Sequence, residues 1–177
     1  ATYQDWPVRP NCGHFFGGVH WYGMETSYTI ATISAAASSP DFNAAEAGYA
    51  ADGLRKAGLR GMRYLLFTHD TGPADCIRPE KGWGRPEPAG TKWGEKGKGF
   101  FPESQCAWTI SALVKTAVAT RDLLTDEELA MLGAIAAGYI ERCRCAVPPG
   151  HGLHGHRRHA GGKLHRDLPD SGYILCR

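Results

Sequence analysis

Small and apolar residues recur at three- and four-residue spacing in four stretches of the chain, and each stretch predicts a helix with one buried stripe. The first runs from about 24 to 37. Glu25 lies in its first turn, where a negative charge suits the helix dipole, and Ser38-Ser39-Pro40 stops it. In the second, Asn43 and Glu46 have capping-box spacing, and Ala47, Ala50, Ala51, Leu54, Gly58, Gly61, Met62 and Leu65 follow as one stripe before Thr71-Gly72-Pro73. Gly58 and Gly61 each cost about 1 kcal/mol against alanine in a helix, which close approach of another helix would offset. The third opens at Pro102 or Glu103, with Ile110, Leu113, Val114, Ala117 and Val118 as its stripe. The fourth opens on a Thr125/Glu128 capping box, and Leu129, Leu132, Ala136 and Tyr139 or Ile140 carry it to about 142.

The links within helices one–two and three–four are short, so each pair should be antiparallel. Glu25–Ile30 and Glu103–Ile110 echo each other with a two-residue gap, and both open the first helix of a pair; a true repeat would give two pairs facing the same way. Between the pairs, residues 70–102 are a long Gly/Pro/Trp-rich connection, whose aromatics argue against disorder. Residues 1–23 are rich in rings, Gly and Pro and read as irregular. The expected fold is therefore all-α: two antiparallel helix pairs, with a helical domain over 1–143. In 144–177 helical periodicity vanishes and five of the eight histidines gather. That Gly/His/Arg-rich tail reads either as the product of a reading-frame shift in a GC-rich gene or as a flexible extension.

Composition narrows the function classes. The net charge is +2, and no basic stripe appears outside the tail, so nucleic acid is not an expected partner. The longest helical stretch contains Arg55, Lys56, Arg60 and Arg63, so it is no membrane span. Cysteines stand at 12, 76, 106, 143, 145 and 176, an even count without Cys-x-x-Cys spacing. No signal-like apolar run is visible at Ala1, so the chain is expected to be either cytoplasmic or already processed. The cysteine count leans toward a secreted or periplasmic protein, with a cytoplasmic one as the alternative.

Two sets of residues have the chemistry of a site. Trp21, Tyr22, Trp83 and Trp93, together with Trp108, offer flat faces on which sugar rings stack, although large rings also anchor loops and cores; Trp108 is the one most expected in the core. His14 and His20 lie among the rings and glycines of the N-terminal segment. The acidic set is Glu25, Asp70 and Glu103, with His69 beside Asp70. Two carboxylates across a cleft can cleave a glycosidic bond, whereas a histidine or tyrosine near a neutralised uronate can abstract its C5 proton and set off β-elimination. Glu25 and Glu103 have a plainer role at helix N-termini, as dipole partners. His151, His154, His156 and His159 have ligand-like spacing but no ordered frame, so no resident metal and no cofactor are expected. Gly-x-Gly-x-x-Gly, P-loop, Gly-x-Ser-x-Gly and His-Glu-x-x-His patterns are missing.

The stretches HFFGGVHWYGMETSYTIATISAAA, GLRGMRYLLFTHDTGP and GFFPESQCAWTISALVKTA resemble the α/α-toroid carbohydrate-active proteins, which include heparinase- and alginate-lyase-like polysaccharide lyases and several glycoside hydrolases. The resemblance is one of pattern over 14–143; a lyase's Asn/His/Tyr/Arg set is not matched residue by residue, and two helix pairs are fewer than a closed toroid has. It implies a lyase or hydrolase of a polysaccharide or oligosaccharide, or a truncated piece of one. The alternative is a non-catalytic helical interaction module that forms a homo-oligomer through an apolar flank.

Overall fold

The computed structural model describes residues 2–17, 22–78, 92–93 and 103–146; of Tyr22, residues 103–106 and residues 142–146 it describes the helical backbone alone. Among the described residues the structure is mostly helical, with one small sheet. Strands β1 (Thr2–Asp5) and β2 (Gly13–Phe16) are followed by α1 (Tyr22–Ala37), α2 (Ala44–Ala47), α3 (Ala51–Thr68), α4 (Glu103–Ala119) and α5 (Asp126–Ala146).

Helix α1 is the middle of the bundle, packed against α3, α4 and β2. Its buried face combines the short side chains Thr26, Ser27 and Ser34, which let its neighbours come close, with the larger Ile30. Opposite it stand the two glycines of α3. A Cβ on Gly61 would lie 2.5 Å from Ile30 Cγ2, and one on Gly58 would lie 2.4 Å from Ser34 Oγ. These contacts climb α1 as they descend α3, so the two helices are antiparallel. Helix α4 runs the other way relative to α3. Ser27 Oγ lies 3.1 Å from Thr109 Oγ1, while Ser34 and Thr116 both face Gly58. The pairings 27/109 and 34/116 advance together, so α1 and α4 are parallel, as two helix pairs facing the same way require.

The connection into α5 is fixed by side chains from α3. Arg55 donates from Nε to Ala119 O at 2.9 Å and from its guanidinium to Asp122. Arg63 donates to Glu128, whose carboxylate also closes the capping box: Thr125 N–H donates to Oε2 at 2.9 Å and Glu128 N–H donates to Thr125 Oγ1 at 3.2 Å. The expected box at the fourth helix is thus present.

Four expectations change. Residues 1–23 are not irregular throughout: β1 and β2 pair antiparallel, with Tyr3 opposite Phe15 and Gln4 opposite His14. Phe15 turns its own N–H and C=O outward to Thr26 Oγ1, at 2.9 and 3.3 Å, which docks the hairpin on α1. Asn43 does cap a helix, accepting from Ala45 N–H and Glu46 N–H, but that helix is the four-residue α2. Gly48, at φ 72°, ends it in the left-handed conformation, and α3 starts afresh at Ala51. On α4 the predicted stripe is half right. Leu113 and Ala117 are buried, whereas Val114 and Val118 are exposed; Thr109, Ala112, Thr116 and Thr120 complete the inner face. Finally, the fourth helix runs to Ala146, a turn beyond its expected end near 142. The rest of the tail, with its histidine cluster, lies outside the described residues.

The core joins Trp6, Phe15 and Cys12 of the hairpin to Ile30, Met62, Tyr64, Leu65, Leu66, Leu113 and Ile135 of the helices, with Cys76 and Trp93. No helix among the described residues is long and apolar enough to cross a membrane.

Candidate functional site

Because α1 and α4 are parallel and α3 opposes both, the starts of α1 and α4 and the end of α3 lie at one end of the bundle. The hairpin docks there too, through Phe15, Thr26 and Gly61. This topology gathers most of the sequence-predicted site at that end: His14 on β2, Glu25 in the first turn of α1, His69 and Asp70 just past α3, and Trp93 against the end of α3. Tyr22 and Glu103 are the first residues of α1 and α4 by backbone. Trp21, His20 and Trp83 lie outside the described residues.

The last turn of α3 leaves carbonyls that its own helix cannot satisfy. Lys92 and Trp93 supply the donors. Lys92 Nζ donates to Phe67 O at 3.0 Å and to Pro73 O at 2.5 Å, Trp93 N–H donates to Thr68 O at 3.2 Å, and Trp93 Nε1 donates to Leu65 O at 2.7 Å. A cation at a helix C-terminus is also favoured by the dipole. Burial pulls the Lys92 ammonium below its ordinary pKa. Lys92 was not foreseen, since nothing local marks a lysine in a Gly/Pro-rich stretch as a cap for a helix some twenty residues earlier.

This placement corrects the reading of Trp93 as a stacking surface. Its ring is 2% exposed, its indole N–H is committed to Leu65, and its edge meets the His69 ring at 4.4 Å between centroids. Trp108, expected in the core, is instead 55% exposed and packs on Tyr28 at 5.8 Å.

The acids differ in their commitments. Glu25 is buried and accepts from Gly17 N–H, which ties the end of β2 to the first turn of α1. Asp70 is exposed, and its Oδ1 lies 2.7 Å from His69 Nδ1. The same Nδ1 lies 2.8 Å from Thr71 Oγ1 and 3.2 Å from Thr71 N. The Asp70 and Thr71 amide contacts demand opposite tautomers. An ionised carboxylate only accepts, so the Asp70 contact needs a proton on Nδ1, whereas the Thr71 N–H needs a lone pair there. The Asp70 contact is the shorter, but hydrogen-bond geometry belongs to the Thr71 contacts, so Asp70 and Thr71 compete for Nδ1.

His14 and Tyr64 form a second pair. Both are buried, with ring centroids 5.0 Å apart in an edge-to-face arrangement, and Trp6 meets the same tyrosine at 5.5 Å. Burial pushes the His14 imidazole below its ordinary pKa and keeps it neutral at neutral pH. Among the described residues no three His, Cys, Asp or Glu side chains meet in a metal-binding group. Comparison with protein-family models, characterised proteins and solved structures finds no match to this chain.

Proposed function

We propose that the protein is carbohydrate-active and that the end of the bundle formed by the starts of α1 and α4 and the end of α3 works on a polysaccharide, as a lyase in preference to a hydrolase. The observation that carries this reading is the Asp70–His69 contact. A carboxylate that accepts from Nδ1–H would orient the ring and leave the lone pair on Nε2, which is what abstraction of a sugar C5 proton asks of a base. A two-carboxylate hydrolase has less support, because Glu25 is buried and engaged by Gly17. The parallel course of α1 and α4 supports the further reading that the two helix pairs are a piece of an α/α toroid. The test is incubation of the full chain with a panel of acidic and neutral polysaccharides. Absorbance of an unsaturated uronate supports the lyase, reducing ends without it point to a hydrolase, and neither product from folded protein overturns the enzyme reading.

One observation favours a second reading, a helical module that self-associates. Trp108, Val114 and Val118 stand exposed along α4, with Val118 at 75%. Light scattering separates the two: an oligomer without sugar affinity supports the module, and a monomer that binds sugar supports the first reading.

A further inference from the structure

Two thiols from distant parts of the chain are buried together under the clasp that joins the hairpin to the loop after α3. Cys12 precedes β2 and is buried, and Cys76 ends the loop and is fully buried; both belong to the same core cluster and both are free thiols in this structure. Their chain segments are held by a two-pronged ion pair: Arg9 donates from Nη1 to Asp75 Oδ2 at 3.0 Å and from Nη2 to Asp75 Oδ1 at 2.8 Å. Arg9 lies three residues before Cys12, and Asp75 is the neighbour of Cys76. The Cys76 Sγ is itself 3.8 Å from Asp75 Oδ1. Trp6 N–H, bonded to Cys12 O at 2.9 Å, closes the turn on the hairpin side, and Cys76 N–H, bonded to Pro73 O at 3.0 Å, closes the loop on the other.

We propose that Cys12 and Cys76 are a disulfide-forming pair that staples the N-terminal hairpin to the end of α3. The inference does not depend on the carbohydrate reading. The oxidant is a small-molecule disulfide such as oxidised glutathione. One cysteine thiolate attacks it and releases one glutathione thiolate, and the other cysteine then displaces the second; two protein thiols give up two protons and two electrons, and the glutathione disulfide is reduced to two thiols. Burial and the nearby Cys76 push the Cys12 thiol up to about 12, and burial pushes Cys76 up as well. Few thiolates form at neutral pH, so the bond closes during folding and only slowly once the core is packed.

The bond would join the segments that carry His14 and His69, holding both ends of the candidate site covalently. It closes a loop of roughly 65 residues, a length at which cross-linking strongly restricts the unfolded chain.

The experiment is refolding of the full chain from denaturant in a glutathione redox buffer, followed by thiol alkylation and non-reducing peptide mapping. The expected result is a peptide pair joined through Cys12 and Cys76, two hydrogens lighter than the reduced pair, together with a melting temperature about 10 °C above that of the same sample after reduction. Comparing oxidised and reduced wild-type protein requires no variant to fold. C12S and C76S should each abolish the linked pair, and the surviving cysteine should remain alkylatable after unfolding. Full alkylation of both cysteines in refolded wild type overturns the proposal. So does preferential pairing of either with Cys106, Cys143, Cys145 or Cys176.

Discussion

Ile30 occupies the place where a side chain on residue 61 would go. A Cβ on Gly61 would meet Ile30 Cγ2 at 2.5 Å, Thr26 Cγ2 at 3.2 Å and Phe15 Cε2 at 3.3 Å. Two of these neighbours are β-branched, with stiff χ1 angles, and all three are fixed by the α1–α3–β2 junction. Gly61→Ala should therefore destabilise the fold by about 2 kcal/mol, despite the gain of about 1 kcal/mol in helix propensity. Gly58→Ala should come out near neutral, since the atom it meets, Ser34 Oγ, is the end of a side chain that can turn away. Thermal melts of the two variants should differ by several degrees, with Gly61→Ala the lower; equal melts would remove the close-packing account of the glycines.

Glu128 serves two partners at once, the Thr125 amide and Arg63. It is buried, so removing it strands the Arg63 guanidinium in a partly desolvated place as well as uncapping α5. Glu128→Ala should cost about 3 kcal/mol in urea unfolding, the cap supplying about 1 of that. Glu128→Gln keeps one oxygen, enough for the cap or for Arg63 but not for both, and should lose about half as much. The exposed Asp52–Lys56 pair is the internal control: Asp52→Ala should change stability by less than about 0.5 kcal/mol.

What could be read from the sequence was whatever is local. The Thr125/Glu128 box needs only four residues, and it formed as expected. The glycines of α3 announced close approach because nothing else explains them in a helix. The α2 break was readable in principle, since Gly48 follows Asn43 at the distance of one short helix. The inner face of α4 was misread because valine looks more buried than threonine. Thr109 and Thr116 take inner positions because they face Ser27 and Gly58 at close range, and a threonine hydroxyl can bond the carbonyl one turn back, as Thr120 does to Thr116 O at 2.8 Å. Trp93 and Trp108 exchanged expected roles for a reason no local pattern carries: the indole N–H of Trp93 meets a carbonyl 28 residues earlier. The gathering of His14, Glu25, His69 and Asp70 at one end followed from helix direction, which the expected pairing already implied; their burial did not.

His14 makes stability depend on pH in a defined direction. Its folded-state pKa lies below the unfolded value of about 6.5, because burial against Tyr64 disfavours the imidazolium. The unfolded chain therefore binds more protons across that window, and its contribution to stability is complete above about pH 6.5 and is lost as pH falls from there through the folded pKa. Denaturant midpoints measured from pH 8 down to pH 5 should decline for the wild type. His14→Gln should flatten that part of the profile; an unchanged slope would assign the decline to another group.

The Asp70–His69 contact predicts a tautomer, which can be observed without any substrate. With Asp70 in place, the proton should sit on Nδ1 of His69, and nitrogen chemical shifts of the labelled imidazole should show Nδ1 protonated and Nε2 carrying the lone pair at a pH where the ring is neutral. In Asp70→Ala the strongest acceptor for that proton is gone, while the Thr71 N–H, 3.2 Å from Nδ1, remains as a donor. The preference should then invert, with the proton moving to Nε2. Should the polysaccharide assay be positive, the same substitution should lower kcat by about a hundredfold with little change in KM, since the ring would present a proton where the reaction needs a lone pair. A wild-type ring already protonated at Nε2 would mean that Thr71, not Asp70, sets its orientation, and the base would have to be sought elsewhere at this end of the bundle.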